Sequence, residues 1–200
     1  MIFCIIGKSG TGKSTVFNKL KDIFKDEKRL DFIVPVTTRN KRGEEDTDYE
    51  FETFETFRER ENRGEFLEVR KYNTYNEGEV YYATPKIKDF TKHYVYVTTP
   101  DVMFKLCDYY GKRNVTPIQL MLADYEIIKR KIDRIHRYDV PNKDYNIGYI
   151  EACRRFIKDS QDFDKYIGIG ETFSSYDTTI CSNNIKQFIE GVLNSIEVNY

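Results

Sequence analysis

Two periodicities of hydrophobic and polar residues alternate along this chain. Short apolar runs typical of buried strands are separated by longer stretches in which apolar residues recur at helical spacing. In chain order, the runs are IFCII, FIVPV, YVYV, PIQLML and TTIC. Buried strands that alternate with helices are typical of a parallel sheet covered by those helices. The pattern therefore predicts an α/β fold.

Two segments interrupt this alternation. The first, residues 37–84, is rich in Tyr, Glu and Arg and has short strand-like pieces around the helical piece FETFRERENRGEF, which predicts a small antiparallel subregion. The second, RIHRYDVPNKDYNIG at residues 134–148, separates two helices, and its Pro141 and Gly148 predict a mobile loop. The chain has no internal repeat and no low-complexity linker, so we expect a single domain over residues 1–200.

Composition excludes several classes of function. Charged residues make up 32% of the 200 residues and nearly cancel to a net charge of −1, so the chain lacks the basic field that non-specific nucleic-acid binding requires. The four cysteines form no C-x-x-C pair, and two histidines cannot assemble a zinc site, which indicates reduced thiols. The run MIFCII is too short to cross a bilayer and lacks a basic leader. We expect a cytoplasmic protein that binds neither nucleic acid nor membrane.

The stretch GKSGTGKS, from Gly7 to Ser14, carries the clearest chemistry. It fits G-x-x-x-x-G-K-[ST], follows a buried-type strand and precedes a helical segment. Its glycines allow backbone N–H groups to converge on an anion at a helix N-terminus, which favours a polyphosphate. Lys13 would bridge the β- and γ-phosphates, and the Ser14 hydroxyl would complete the coordination of Mg²⁺. The alternative interpretation, a glycine-rich turn with no ligand, would need all four fixed positions to coincide by chance.

Five further stretches follow this loop in a recognisable order. They are TTRNKRGEEDTDYEF (37–51), RGEFLEV (63–69), YYATPK (81–86), RKIDRIHR (130–137) and ACRRFIKDSQDFDKY (152–166). Together with the P-loop, these stretches resemble the guanylate kinase family over nearly the whole chain. The resemblance implies a P-loop NTPase-type parallel sheet flanked by helices, with a small insertion that binds a nucleoside monophosphate (NMP) and a helical lid. It divides the domain into a core (1–36, 85–130 and 165–200), an NMP-binding region (37–84) and a lid (130–164).

The resemblance also assigns residues to two nucleotides. The residues assigned to ATP are Gly7, Ser9, Gly10, Thr11, Gly12, Lys13, Ser14, Thr15 and Asn183. The residues assigned to the phosphate of the acceptor are Arg39, Arg42, Tyr49 and either Tyr81 or Tyr82, of which we select Tyr82. Guanidinium groups match phosphate oxygens in pairs, and phenol hydroxyls add short hydrogen bonds. For the base, Glu68 would accept the two donors of guanine while Thr84 donates to O6, an arrangement that adenine cannot satisfy.

The implied reaction is the phosphorylation of GMP or dGMP by ATP with Mg²⁺. Three arginines, Arg130, Arg134 and Arg155, would join Lys13 in meeting the charge that spreads over the transferred phosphoryl group. No general base is needed, because the acceptor phosphate is already anionic at neutral pH. We expect a monomer or a weak homodimer.

Other interpretations of these residues remain open on the sequence alone. Arg39 and Arg42 could be solvated loop charges, and Glu68 could be a carboxylate on the solvent face of a strand. Arg130 and Arg134 could lie on an exposed basic helix face.

The chain departs from the family pattern in three places. The strand that usually ends in two aspartates reads VYVTTPD (95–101), with Thr98 and Thr99 at those positions and Asp101 as the nearest acid. Pro35 replaces a serine that usually contacts the acceptor phosphate, so a donor is lost. The segment from residue 69 to residue 80 is longer than usual. The acceptor could therefore be another nucleoside monophosphate or a phosphosugar, or the chain could be a non-catalytic binding module.

Overall fold

The computed structural model describes residues 1–41, 43–44, 46–74, 77–137, 145–163, 166 and 169–197. The helices are α1 (Lys13–Ile23), α2 (Phe54–Asn62), α3 (Pro100–Tyr110), α4 (Asp124–Arg137), α5 (Tyr145–Phe163) and α6 (Thr178–Glu197). The strands are β1 (Ile2–Ile6), β2 (Leu30–Ile33), β3 (Val36–Thr37), β4 (Glu50–Phe51), β5 (Phe66–Thr74), β6 (Gly78–Pro85), β7 (His93–Val97), β8 (Val115–Met121) and β9 (Glu171–Ser174). A short 3₁₀ turn, Lys112–Asn114, leads into β8.

The main sheet has the strand order β2-β7-β1-β8-β9, and every neighbouring pair is parallel. Strand β1 lies at its centre, and all five of its residues are buried. Successive side chains of a strand point to opposite faces, so a central strand with helices on both sides needs apolar residues throughout. Phe3 and Ile5 pack into one layer of the core, while Cys4 and Ile6 pack into the other. The predicted parallel α/β fold is confirmed.

The two faces of the sheet are covered by different helices. On one face, α1 and α6 contribute the buried residues Val16, Phe17, Leu20, Cys181, Ile185, Ile189 and Leu193. On the other face, α3 contributes Val102, Met103 and Leu106, and Phe163 at the end of α5 joins them. These two layers hold the strands in register, so the loops at the carboxyl ends of the strands have fixed starting points.

A second sheet, in the order β4-β3-β6-β5, is formed by strands that lie between Val36 and Pro85. Helix α2 covers one face of it, with Phe57 packed among Val36, Phe66 and Ala83. The β5–β6 and β3–β6 pairs are antiparallel, but β3 and β4 are parallel. The predicted antiparallel subregion is therefore a mixed sheet, because the chain between β3 and β4 is long enough to cross back before it pairs.

Two of the predicted strands differ from the structure. The run TTIC is not a strand but the first turn of α6, because the Asp177 carboxylate accepts the N–H groups of Thr179 at 2.7 Å and Ile180 at 3.1 Å and caps the helix. The fifth strand of the main sheet is β9, which precedes that cap. The run FIVPV is divided between two sheets, since Pro35 has no N–H group to continue the ladder of β2.

The residues expected to form the lid, 130–164, include most of α4 and all of α5. Of the predicted mobile loop, residues 134–137 belong to α4 and residues 145–148 to α5, so that part of the prediction is wrong. Residues 138–144, which include Pro141, lie outside the described part of the chain. Gly148 is not in that loop but in the first turns of α5, where a Cβ atom would lie 3.1 Å from a methyl group of Ile135. The two helices therefore pack closely at this point. Among the described residues, no helix has the length and apolar character needed to cross a membrane.

Gly170 provides a test of how β9 is attached to the sheet. Its φ is +73°, and a Cβ atom there would lie 2.3 Å from the carbonyl oxygen of Pro117. We expect Gly170→Ala to lower the free energy of unfolding by about 2–4 kcal/mol, because it combines left-handed strain with a backbone clash. Urea denaturation followed by circular dichroism measures this change.

Two other glycines serve as matched controls. Gly78 has a φ of +68°, but no atom of the described residues lies within 4 Å of its Cβ position, so Gly78→Ala should cost only about 1–2 kcal/mol. Gly191 lies in α6 with open space around it, and Gly191→Ala should stabilise the protein by up to about 1 kcal/mol. Equal losses for Gly170→Ala and Gly78→Ala would contradict the close approach of Gly170 to β8.

Candidate active site

The P-loop joins the carboxyl end of β1 to the first residue of α1. Gly10 and Gly12 have φ values of +97° and +91°, which L side chains rarely adopt. A Cβ atom on Gly7 would lie 2.8 Å from the Thr11 hydroxyl oxygen and 3.0 Å from the carbonyl oxygen of Leu120 in β8. The glycines of the motif are thus required by backbone shape and by close packing. The loop ends at the N-terminus of α1, a position that favours an anion.

Lys13 is folded against this loop. Its ammonium group donates hydrogen bonds to the carbonyl oxygens of Gly7 at 2.8 Å and Lys8 at 3.1 Å. The pKa of Lys13 is lowered to about 8, chiefly by burial; the Asp159 carboxylate opposes this shift, and the nearby charges of Lys131 and Arg134 contribute to it. A lysine held in this way gains a partner of opposite charge when a phosphate enters the loop.

Arg130 and Arg134 both lie on the lid helix α4 beside the P-loop. Arg130 donates to the carbonyl oxygens of Ser175 at 3.2 Å and Tyr176 at 3.0 Å, and its Nη1 lies 3.6 Å from the Cβ position of Gly12. Arg134 is exposed, and its charge contributes to the lowered pKa of Lys13. The contacts therefore place Arg130 against the P-loop, whereas Arg134 is connected with the loop only through its effect on the pKa of Lys13.

Arg155 is placed differently. Its Nε donates to Glu151 at 2.6 Å along α5, and the two arginines of the RR pair, Arg154 first, hold the pKa of Glu151 at about 2. Arg155 is not in contact with the P-loop in this structure, so a catalytic role would require it to leave Glu151.

Two residues beside the P-loop were missed by the sequence analysis. The Asp159 carboxylate, on α5, accepts the backbone N–H of Ser9 at 2.8 Å and lies 3.4 Å from the ammonium group of Lys131 on α4. Asp159 follows Arg155 by one helical turn, and Lys131 is adjacent to Arg130, so each lies close in the sequence to a predicted residue. These positions in the sequence do not show which side chains of α4 and α5 contact the P-loop, because those contacts depend on how the two helices pack.

Of the remaining residues assigned to ATP, Thr11 closes the loop by donating its hydroxyl to the carbonyl oxygen of Lys8 at 2.9 Å. Ser14 lines a small cavity of about 40 Å³ at the start of α1, together with Pro35, Asp48 and Tyr49. Thr15 and Asn183 are both exposed, on α1 and α6. Asp48 was also missed by the sequence analysis, which sought a carboxylate only at the end of β7.

The end of β7 carries Thr98 and Thr99, at the positions where the family usually has two aspartates. Thr98 is buried, and its hydroxyl has no hydrogen-bond partner among the described residues. Thr99 immediately precedes α3, and Asp101 accepts a hydrogen bond from the Tyr166 hydroxyl at 3.3 Å. Asp101 lines a larger cavity of about 380 Å³ between β5, α3 and α5 and does not line the cavity at Ser14.

Arg39 is buried within residues 37–84 rather than solvated. It forms a paired hydrogen bond with Asp46, at 2.7 and 3.1 Å, and lies over the rings of Tyr49 and Phe51 at 5.0 and 4.9 Å. This pairing raises the pKa of Arg39 despite the opposing effect of burial. The interpretation of Arg39 as a solvated loop charge is wrong. Arg42 lies outside the described residues.

The two adjacent tyrosines of β6 point to opposite faces of the second sheet. Tyr82 packs against Tyr49 with the ring centroids 5.4 Å apart, on the face that carries Arg39. Tyr81 packs instead against Phe54 and Phe57 beneath α2, at 5.3 and 5.8 Å. Of the two tyrosines, Tyr82 is therefore the one beside Tyr49 and Arg39.

Glu68 and Thr84 form the centre of a buried polar cluster. The Thr84 hydroxyl donates to Oε1 of Glu68 at 2.7 Å and also lies 2.8 Å from the hydroxyl of Tyr96 in β7. The other oxygen, Oε2, lies 3.2 Å from Nε of Arg70 and 3.8 Å from the ammonium group of Lys105. Glu68 is only 7% exposed, so it is not a solvent-face carboxylate.

The pKa of Lys13 leads to a test that needs no ligand. Because its pKa in the folded protein lies near 8 and below the unfolded value, the unfolded chain binds more protons between pH 8 and 10.5. The contribution of Lys13 to the free energy of unfolding should therefore rise with pH through this interval. Urea denaturation of the parent protein and of Lys13→Met measures it as the difference between the two proteins. A difference that is constant with pH would contradict the burial of this ammonium group.

Comparison with known proteins identifies the family of this chain. The guanylate kinase family model matches residues 2–105, which is just over half of the chain. A guanylate kinase of Thermotoga maritima is 44% identical over 69 residues, which make up 34% of this chain and 32% of that protein. The match to this curated relative thus spans about a third of its length. The solved structure of the guanylate kinase from Anaplasma phagocytophilum has a TM-score of 0.63 at 18% identity, and the match covers 96% of this chain and 85% of that one. The fold is shared with that enzyme, and the family model places this chain in the guanylate kinase family.

Proposed function

We propose that the protein transfers the γ-phosphoryl group of ATP to GMP or dGMP. The observation that carries this proposal is the buried pair of Glu68 and Thr84. Oε2 of Glu68 is buried and has no hydrogen bond of good geometry among the described residues, although Arg70 is nearby. Guanine presents two adjacent N–H donors and a carbonyl oxygen, so Glu68 would accept from the base while the Thr84 hydroxyl turns to donate to O6. Adenine would leave these buried groups unpaired.

The phosphate of the acceptor would bind beside Arg39, Tyr49 and Tyr82. Arg39 uses three of its five N–H donors on Asp46 and on the carbonyl oxygen of Asn40 within the described part of the chain, so two donors remain. The aromatic rings around it restrict its conformations and thus lower the entropy lost on binding. Arg42, which follows in the same motif, is also predicted to bind the phosphate of the acceptor.

The donor would bind along the P-loop, with Lys13 in contact with the β- and γ-phosphates. Because the acceptor phosphate is already an anion, catalysis depends on positioning and on positive charge around the transferred group. Lys13, Arg130 and Arg134 would supply that charge, and Arg155 would join them after it leaves Glu151. In this proposal, residues 37–84 bind the acceptor and residues 130–164 act as the lid.

The residues at the start of α1 fit Mg²⁺. The ion prefers oxygen ligands and usually combines one or two carboxylates with water and substrate phosphates. The Ser14 hydroxyl and the Asp48 carboxylate line the same small cavity, and the described residues contain no cluster of three or more His, Cys, Asp or Glu side chains that would form a complete protein site. When bound, Mg²⁺ would neutralise charge on the phosphates of ATP. Ser14 would hold it directly, and Asp48 would orient its water.

A panel of acceptors tests the proposed reaction. Release of ADP from ATP and Mg²⁺ should be fastest with GMP or dGMP and far slower with AMP, CMP, UMP and phosphosugars. Glu68→Gln should lower kcat/KM for GMP by about 1.5–3 kcal/mol, because it removes charged hydrogen bonds to the base, and should leave ATP binding unchanged.

One control and three possible results distinguish the proposed reaction from its alternatives. Glu79→Gln, at the exposed end of the same hairpin, is the control for Glu68→Gln and should retain the activity of the parent protein. Equal use of GMP and AMP by the parent protein would exclude Glu68 as the group that selects the base. Activity of Lys13→Met within a few fold of the parent protein would exclude P-loop catalysis, and no turnover with any acceptor would support a binding module.

The proposed role of Asp48 leads to a separate prediction. Asp48→Asn should raise the Mg²⁺ concentration needed for half-maximal ADP formation by about tenfold, the usual effect of losing a residue that orients a metal ligand. Asp101→Asn is the control and should leave this concentration unchanged, since Asp101 lines the other cavity. The opposite result for the two variants would place the metal at the end of β7 rather than beside Asp48.

A further inference from the structure

Asp159 contacts the P-loop at a position where an anion is expected to bind. Its Oδ2 accepts the N–H of Ser9 at 2.8 Å, and Ser9 lies inside the GKSGTGKS loop whose N–H groups favour phosphate. The same oxygen lies 3.4 Å from the ammonium group of Lys131. A backbone N–H and a lysine are the donors that P-loops offer to phosphate oxygens. The carboxylate of Asp159 thus accepts from donors of the kind that bind phosphate oxygens.

The lysines around Asp159 are also engaged by the protein. Lys131 is largely buried and lies over the ring of Phe156 at 5.6 Å, and Lys8 lies over the same ring at 5.9 Å while it pairs with Asp124 at 3.1 Å. Lys131 therefore has little freedom to turn toward solvent. A phosphate oxygen that approached Ser9 and Lys131 would meet the carboxylate of Asp159, and two anions cannot share these donors without repulsion.

We propose that Asp159 competes from within the protein for the phosphate site and thereby determines the affinity for ATP. Without nucleotide, the carboxylate holds the Ser9 N–H and Lys131. When ATP binds, its phosphates displace Asp159, and Lys131 exchanges a carboxylate partner for a phosphate one. Because Asp159 lies on α5, this exchange couples the entry of ATP to the release of α5 from its contact with Ser9. The identity of the displacing ligand rests on the proposed function, whereas the contact itself does not.

A purely structural role for Asp159 predicts the opposite effect. If the contact with Ser9 served only to shape the P-loop, its removal would loosen the loop and weaken ATP binding. If Asp159 is a competitor, its removal increases the fraction of molecules able to bind, and the apparent dissociation constant falls by the same factor. The direction of the change in ATP affinity therefore distinguishes the two roles.

Calorimetric titration with ATP and Mg²⁺ at pH 7 tests the direction. We expect Asp159→Ala to bind ATP about tenfold more tightly than the parent protein, since a charge-assisted hydrogen bond no longer opposes binding. Asp159→Asn should show a smaller gain, because the amide can still accept from Ser9 but carries no charge. The control is Asp162→Asn, which removes one charge from the wall of the same cavity, where Asp162 pairs with Lys158 rather than with the P-loop. It should change the affinity by less than twofold.

Hydrogen exchange of the protein without nucleotide provides a second test that does not depend on ATP. Loss of the carboxylate should accelerate exchange of the P-loop peptide that contains Ser9 in Asp159→Ala but not in Asp162→Asn. Unchanged exchange, or unchanged or weaker ATP binding by folded Asp159→Ala and Asp159→Asn, would overturn the proposal. If the parent protein binds no ATP, the proposed donor is wrong and the inferred competition with ATP falls with it. The exchange result would then still decide whether Asp159 covers the loop.

Discussion

The burial of β1 on both faces is the constraint on which the candidate site depends. Ile2–Ile6 lie between two helix layers, so the end of this strand has one position relative to β7 and β8. The P-loop begins there, and Gly7 fits against the carbonyl oxygen of Leu120 with no room for a side chain. A shift of the central strand would therefore move the N–H groups that face an anion. The stability of the core and the geometry of the phosphate site are determined by the same contacts.

The parallel sheet also explains how distant segments meet. The carboxyl ends of parallel strands lie at one edge, and binding sites form where the loops leave that edge. The P-loop follows β1, the lid helix α4 follows β8, and α3 follows β7. The second sheet brings Glu68 and Thr84 to Tyr96 of β7, which connects the candidate base site to the core.

Most cations around the site are paired with carboxylates of the protein. Arg39 is bound to Asp46, Arg155 to Glu151 and Lys131 to Asp159. An unpaired buried charge would destabilise the fold, and these carboxylates provide partners inside the protein. Lys13 differs, since within the described part of the chain it donates only to backbone carbonyls, and its pKa is lowered to about 8. Phosphate binding at this site would therefore replace protein carboxylates as well as add new contacts.

The sequence by itself determined the fold class, the P-loop and the family, because each depends on local pattern. The alternation that predicts a strand involves only a few adjacent residues. The same is true of the spacing of the glycines, Lys13 and Ser14 that identifies the P-loop. Local pattern predicted the wrong element at TTIC, which begins a helix because the Asp177 carboxylate caps it. It also predicted one strand at FIVPV, where Pro35 divides the run between two sheets. Only the tertiary structure decided that Tyr82 rather than Tyr81 faces Arg39, and that Asp48 and Asp159 lie beside Ser14 and Ser9. These contacts join residues far apart in the chain, and their geometry is set by the packing of helices and sheets, which no short stretch of sequence contains.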